Sequence, residues 1–407
     1  MGKAALIMVM GFSTALLMIG SNIVKVSNEA MDNYLHYYKS SMAHNIAASA
    51  TNMSARTLWE NTSYRGGFSN RAFSGGTMSS TVVAAGINTI SIVTSAQFMG
   101  DSSTVSVILQ PSSFSRFGYY STIEGNIWWI TGDTVWGPMH TQDNLRVSGS
   151  PAFMQKTTSL KSIIYYNGPP PKDNPRFLGG YESGVSVTVP SDLSQLQQAA
   201  SEGGRVISGN DSVYIEFQSG GNVRWRRGAD ATWTTQSVAS FGGSNGIVYA
   251  QGTNIHVSGT VDGRITIAAG GTTGSNTRGN IWIDNDITYA HDPRQVPSTD
   301  ILGLVAENNI LISKNDNNDK NDLYLDASCF SRSGGFTAEG YGSRGVEGRI
   351  HLLGGIQQYR RGAVGTFGSD GLSNGFLKDY QYDSRLLNDS PPFFPTTGNY
   401  EIVSWFE

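Results

Sequence analysis

Apolar residues run almost unbroken from Ala4 to Val24, between Lys3 and Lys25, with no charge inside the run. At 1.5 Å per residue this stretch spans about 31 Å, the thickness of one bilayer core. A secretory signal would have a shorter apolar core and a small-x-small cleavage site, and no clean one is present. The pattern then changes without a break. From Val26 to Trp59 there is neither proline nor glycine, and Met31, Leu35, Tyr38, Met42, Ile46, Ala50 and Met53 recur every three or four positions. That spacing predicts an amphipathic continuation of the same helix, ended by Arg65-Gly66-Gly67. One helix from Gly2 to Glu60 would be about 88 Å long.

Past the helix the period falls to two. The runs Thr81–Ala84, Thr89–Val93 and Thr104–Leu109 alternate β-branched and polar residues, and Gly100-Asp101 marks a turn. This predicts a small antiparallel unit. Further on, a short cassette repeats, a polar residue followed by apolar, any, apolar. It is seen at Asn126–Trp129, Asn144–Val147, Asn254–Val257, Arg264–Ile267, Asn280–Ile283, Asn309–Ile312, Asp322–Leu325 and Arg349–Leu352. Short strands at irregular intervals, parted by Gly, Asn and Asp, fit a parallel β-helix better than a sandwich with regular hairpins. Residues 165–245 interrupt the repeat with Gly168-Pro169-Pro170-Pro171, a helix over Ser191–Glu202 and a hairpin at Ser219-Gly220-Gly221. The expected class is α+β, mostly β. Its parts are a long helix (1–62), an antiparallel unit (63–112), first β-helix coils (113–164), an inserted α/β subdomain (165–245), a main β-helix (246–370) and an extended C-terminal cap (371–407).

The helix Lys3–Trp59, with its small-residue stretch AHNIAASATNMSARTLW (Ala43–Trp59), resembles the N-terminus of type IV pilins and pseudopilins. The following INTISIVTSAQFMGDSSTVSVILQ is similar to the strand pair of X-type minor pilins. The Gly125–Phe153 stretch, with Arg360–Phe367, Lys378–Leu386, Pro391–Pro395 and Ser404-Trp405, looks like a poorly characterised bacterial family of pilin-like β-helix proteins with envelope or surface roles. The resemblance implies a filament built around bundled helices, alone or with other pilins. It implies an inner-membrane assembly machinery and a prepilin peptidase that cuts a leader after Gly2, or alternatively after Gly11. The chain would sit in the inner membrane before assembly and on the cell surface afterwards. Lys3, Ala4, Leu6, Phe12, Leu16, Leu17 and Ile19 would carry assembly. One departure matters: the fifth mature residue, a glutamate in most major pilins, is Ile7 or Leu16 here, and no acid precedes Glu29. That leans towards a minor or tip subunit, the alternative being the main subunit of a filament that meets the problem differently.

Charge narrows the partners. Lys and Arg number 28 against 32 Asp and Glu, a net charge of −4, which argues against a nucleic-acid binder. The single Cys329 excludes an internal disulfide and sits in an apolar run as a core residue. The six histidines lack metal-ligand spacing, and no cofactor motif is present. Asn315–Asp322 is rich in oxygen donors, with Asp316, Asp319 and Asp322 as a candidate calcium loop, but the plainer reading is a solvated turn. His140 with Asp133 could suggest acid–base chemistry, although a satisfied turn histidine accounts for it. Asp284, Asp286, Arg264 and Arg349 are the residue types of β-helix polysaccharide lyases, with nothing tying them into one site. Trp128, Trp129, Trp136, Trp225, Trp233 and Trp282 could face glycans. The leading expectation is a structural, non-enzymatic filament subunit with adhesion as an added role. The alternatives are an anchored, non-polymerising glycan-binding protein and a tethered carbohydrate-active enzyme.

Overall fold

A computed structural model describes residues 2–61, 64–86, 89–271, 277–368 and 371–407. The chain divides into two compact units, Met1–Pro111 with Asn399–Glu407, and Ser112–Gly398.

In the first unit a single α-helix runs from Gly2 to Glu60. Every residue from 2 to 38 is exposed. Burial begins near residue 43, and Ala43, Ile46, Ala47, Ala50, Thr51, Ser54 and Leu58 form the contact face. The expected stripe is therefore right only in its second half. Met31, Leu35 and Tyr38 stay exposed, and Met42 and Met53 flank the contact. Small side chains sit at its centre because they let the helix backbone approach a sheet closely. Large ones there would hold the two layers apart.

That sheet is five-stranded, ordered Gly67–Phe73, Gly76–Gly86, Thr89–Phe98, Asp101–Ser113 and Thr396–Phe406. Tight hairpins join its first strand to its second and its third to its fourth. Ser74-Gly75 and Met99-Gly100 have positive φ at both positions, the geometry whose twist matches that of the flanking strands. The turn thus falls one residue earlier than Gly100-Asp101. Along Thr89–Phe98 alternate side chains are buried, placing Ile90, Ile92, Ala96 and Phe98 in the core with the helix. Polar groups in this layer are paired. Thr94 Oγ1 lies 2.7 Å from Thr51 Oγ1 and donates to the Ala47 carbonyl at 3.1 Å, and Ser54 Oγ lies 2.5 Å from Ser80 Oγ.

In the second unit, strands pair in parallel with those one turn further along the chain, the stacking of a β-helix. One ladder pairs Ile247–Gln251 with Thr266–Gly270, Arg264–Ala269 with Ile301–Ala306, Gly303–Ala306 with Ser328–Ser331, and Ser328–Ser331 with Gly355–Gln358. A second aligns Ile255, Ile281, Ile310 and Phe336. A third aligns Gly259 with Ile287, then Leu325 with Leu352 and Tyr380. Alternate Ile, Val and Leu side chains fill the interior. Cys329 lies among them, and burial pushes its thiol well up.

The polar residue that opens each cassette has a structural task. The Asn254 side-chain oxygen accepts from Asn280 N at 3.1 Å, Asn280 from Asn309 N at 3.0 Å, and Asn309 from Gly335 N at 3.1 Å. These amides form a ladder that satisfies backbone donors where strands begin. Corners need glycine at two places, one between the second and third ladders and one between the third and the first. Gly259 (φ +103°) and Gly354 (φ +151°) each lie where a Cβ would come within 2.0 Å of a carbonyl oxygen on the neighbouring turn, Phe217 O and Ala327 O.

The structure differs from the expected order in three respects. The first coils do not lead into the main stack from its start. Tyr119–Ser121, Met139–Thr141, Thr157–Ser159 and Tyr181–Ser183 stack outward, and the first of them pairs with Ile356–Gln358, the end of the main stack. Residues 165–245 are not wholly an insertion, because Arg205–Ser208 and Val213–Gln218 pair in parallel with Ile247–Gln251 and Ile255–Val261. What departs from the coil is the antiparallel pair Asn222–Arg227 and Thr234–Ser237. Residues 371–407 also divide. Gly371–Gln381 lies in the third ladder, whereas Thr396–Phe406 edges the sheet of the first unit.

Candidate functional site

The helix residues singled out for assembly all lie on the exposed part of the helix. Leu6, Phe12, Leu16, Leu17 and Ile19 are 55–72% exposed, and with Lys3 and Ala4 they spread around the helix rather than along one face. A helix apolar on every side is suited to lipid or to a bundle of like helices. This one is long and apolar enough to cross a membrane, with none of its most apolar window buried. Its hydroxyls turn back on the helix: Thr14 Oγ1 donates to Met10 O at 2.9 Å, and Ser21 Oγ to Met18 O at 2.9 Å. Of the two expected leader cuts, Met1 lies outside the described residues, and Gly2 and Gly11 are both helical.

The candidate calcium loop is not drawn together. Asp319 pairs with the buried Arg344 guanidinium. Asp322 accepts from Arg349 N at 2.7 Å and faces His351 at 3.4 Å. Asp316 is exposed. The loop is instead pinned by Asn315, whose side chain accepts from Asn317 N and Asn318 N at 3.1 and 3.0 Å, and by Asn318, which donates to Ile283 O at 2.9 Å. Among the described residues, the ligand atoms that do converge are those of Asp262, His291 and Asp300, all within 4.8 Å of one another. Asp300 already accepts from Gly263 N at 2.8 Å and from His291 N and Nδ1 at 3.0 Å each.

His140 is buried, with Nδ1 2.7 Å from Thr158 Oγ1 and its ring stacked on Tyr120 at 5.5 Å. Burial lowers its pKa to about 4, so the ring is neutral at pH 7. Asp133 accepts from Ile130 N at 3.1 Å instead of joining it. The lyase-type residues are likewise dispersed. Arg264 clamps Asp389 through two bonds of 2.6 and 2.5 Å, Asp284 faces His256 at 2.9 Å, Asp286 accepts from Tyr324 N at 2.9 Å, and Arg349 Nη1 donates to Lys378 O at 3.4 Å.

The tryptophans do not form one surface. Trp129 is buried. Trp225 packs against the core. Trp282 stacks on His256 at 5.3 Å, which in turn stacks on Tyr214 at 4.6 Å. Trp233 lies under the guanidinium groups of Arg224 and Arg226 at 4.8 and 4.5 Å. Trp136 is exposed, and Trp128 meets Tyr166 edge-on at 5.0 Å.

One concavity escaped the sequence reading. Where the first coils meet the end of the main stack, a cavity of about 390 Å³ is lined by Trp128, Trp129, Asp133, Tyr341, Arg361 and Lys378, among others. Beside it Arg361 Nη1 donates to Glu124 Oε2 at 2.8 Å, with side chains 4% and 0% exposed. Glu124 also accepts from Tyr119 OH at 2.8 Å and from Ser121 Oγ. The Arg361 carbon Cζ lies 4.0 Å from the Trp129 ring centre and Lys378 Nζ 6.0 Å from it. No local signal joins residues from 124 to 378 in one site, because their meeting depends on the long-range pairing of Tyr119 with Ile356.

No protein-family model matches the chain, and no curated protein matches it. Among solved structures the chain is similar to the competence-associated pilin ComZ from Thermus thermophilus, at 11% identity and a TM-score of 0.42, over 91% of this chain and 96% of that one.

Proposed function

We propose that the chain is a structural subunit of an extracellular type IV pilus-like filament. Its N-terminal helix is held in the inner membrane until assembly and is then packed with other pilin helices, while the β-rich unit is displayed outside with an adhesive role. The observation that carries this reading is the two-part helix. Residues 2–38 are exposed and apolar for most of their length, and residues 43–58 are anchored on a sheet through small side chains. A helix built only as an anchor needs about 20 apolar residues. The exposed continuation past Lys25, carrying Met31, Tyr34, Leu35, Tyr37 and Tyr38, offers further surface for neighbouring helices. In this reading the chain performs no reaction.

A second reading, a stably anchored surface protein that never polymerises, is favoured by the absence of any acid before Glu29. A pilin bundle ordinarily uses such an acid against a neighbour's terminal amine, and an unpaired amine in a low-dielectric bundle is costly.

Shearing the producing cells, imaging the sheared material and sequencing this protein's N-terminus separates the readings. Filaments containing the chain, cut after Gly2 or Gly11, support the first, and the ratio of this chain to other pilins tells a main subunit from a tip subunit. An intact N-terminus confined to membranes, with no filament, supports the second. Leu16→Lys, which puts a charge into the helix, abolishes filaments under the first reading, and filaments at normal yield would overturn it.

A further inference from the structure

We propose that the cavity between the first coils and the end of the main stack binds a neutral pyranose residue. This goes beyond the filament reading and stands whether or not the helix polymerises, since all of the lining residues belong to the second unit.

The argument starts from charge. Arg361 and Glu124 neutralise each other, and both Glu124 oxygens are occupied. Two charged groups remain on the wall, Lys378 and Asp133. Lys378 has no hydrogen-bond acceptor among the described residues. Burial lowers its pKa, with Arg361 adding to the effect and Asp133 and Glu124 opposing it. One Asp133 oxygen accepts from Ile130 N at 3.1 Å, leaving acceptor capacity on the carboxylate. An anionic ligand placed here would meet Asp133, and a cationic one would meet Lys378. An uncharged molecule carrying several hydroxyls satisfies both, donating to the carboxylate and accepting from the ammonium.

Shape and wall chemistry agree. At about 390 Å³ the cavity is at the small end of ligand pockets and accommodates a ring-sized molecule. Trp128 and Tyr341 supply apolar surface on partly exposed residues, suited to the C–H face of a sugar ring. Aromatic walls combined with a separated donor and acceptor distinguish a pyranose from a purely apolar ligand, which would leave Lys378 desolvated and unpaired.

The test uses the full chain in detergent. Tryptophan fluorescence and calorimetric titration are recorded with glucose, galactose and N-acetylglucosamine, and with galacturonate and inorganic phosphate as anionic comparators. The expected result is saturable binding of at least one neutral sugar with Kd on the order of 1 mM. Lys378→Met and Asp133→Asn each weaken it about tenfold or more. Tyr341→Ala, on the exposed rim, weakens it without altering the thermal transition, which separates loss of the site from loss of the fold. Three results would overturn the proposal: no saturable neutral-sugar binding up to about 50 mM, tighter binding of galacturonate or phosphate, or neutral-sugar binding unchanged in both charge variants.

Discussion

Ile356 lies beside Tyr119 in one parallel ladder, and next to that pair the Gln357 side chain donates to Phe117 O at 2.6 Å across 240 positions of sequence. The β-helix is therefore one stack made from two stretches of chain that meet end to end. The meeting point carries the buried Arg361–Glu124 pair.

Breaking that pair strands a buried charge. Arg361→Met is expected to lower the stability of the second unit by about 3–5 kcal/mol, because Glu124 is left uncompensated. Adding Glu124→Gln recovers a large part of the loss. The urea midpoints of the two single variants and the double variant measure this, and equal additive losses would show that the pair is not coupled.

His140 makes stability depend on pH. The folded ring takes a proton only near pH 4, and the unfolded ring already near pH 6.5. Between these values the unfolded chain binds more protons, so this contribution is present above about pH 6.5 and is lost as pH falls towards 4, on the order of 3 kcal/mol in total. Asp326 acts in the opposite sense. Burial raises its pKa to about 6 from 3.8, so its contribution falls as pH rises through that window. His140→Asn should remove the first dependence and Asp326→Asn the second, read from melting midpoints between pH 4 and 7. A pH profile unchanged by His140→Asn would refute the assignment.

Gly354 sits where the chain turns from the third ladder to the first. A methyl group there would meet Ala327 O at 2.0 Å, on a backbone with φ +151°. Gly354→Ala is expected to cost about 3 kcal/mol or more. Gly342→Ala, which meets nothing within 4 Å, should be nearly silent. Comparing the thermal transitions of the two variants separates steric exclusion from a general intolerance of alanine.

Ala47 tests the helix–sheet contact. It is fully buried among Ile46, Ala50 and the sheet face. Ala47→Leu should force the layers apart and cost about 1–3 kcal/mol. Proteolysis is the readout: the helix end near Leu58 should be cut faster in the variant. Unchanged resistance would mean that the contact is looser than the packing indicates.

Much of the fold was legible because its signals are local. The helix ends come from an unbroken run without proline. The cassettes that open with Asn254, Asn280 and Asn309 show the coil period directly, and the asparagine itself proves to be the ladder residue. What stayed hidden depends on pairing across the chain. Nothing near Tyr119 signals Ile356, and nothing in Asn399-Tyr400-Glu401-Ile402 says that this strand belongs to the sheet beside Asp101–Ser113. The helix face was misplaced for a related reason. Large apolar residues such as Met31 and Leu35 drew the stripe, whereas the sheet selects Ala43, Ala47 and Ala50 for their small size. The cavity was missed because its charges, Asp133, Arg361 and Lys378, come together only after the two stretches of coil have joined.

The strand Thr396–Phe406 has a consequence for how the molecule is made. It is the edge partner of Asp101–Ser113, so the sheet that carries the helix is completed only by residues synthesised after the whole second unit. A chain interrupted anywhere in the coil therefore holds the helix against a sheet whose edge along Asp101–Ser113 is still open. Completion of that sheet therefore waits on translation of the full second unit, and a truncated chain keeps an unpaired edge strand that offers a template for pairing with other chains.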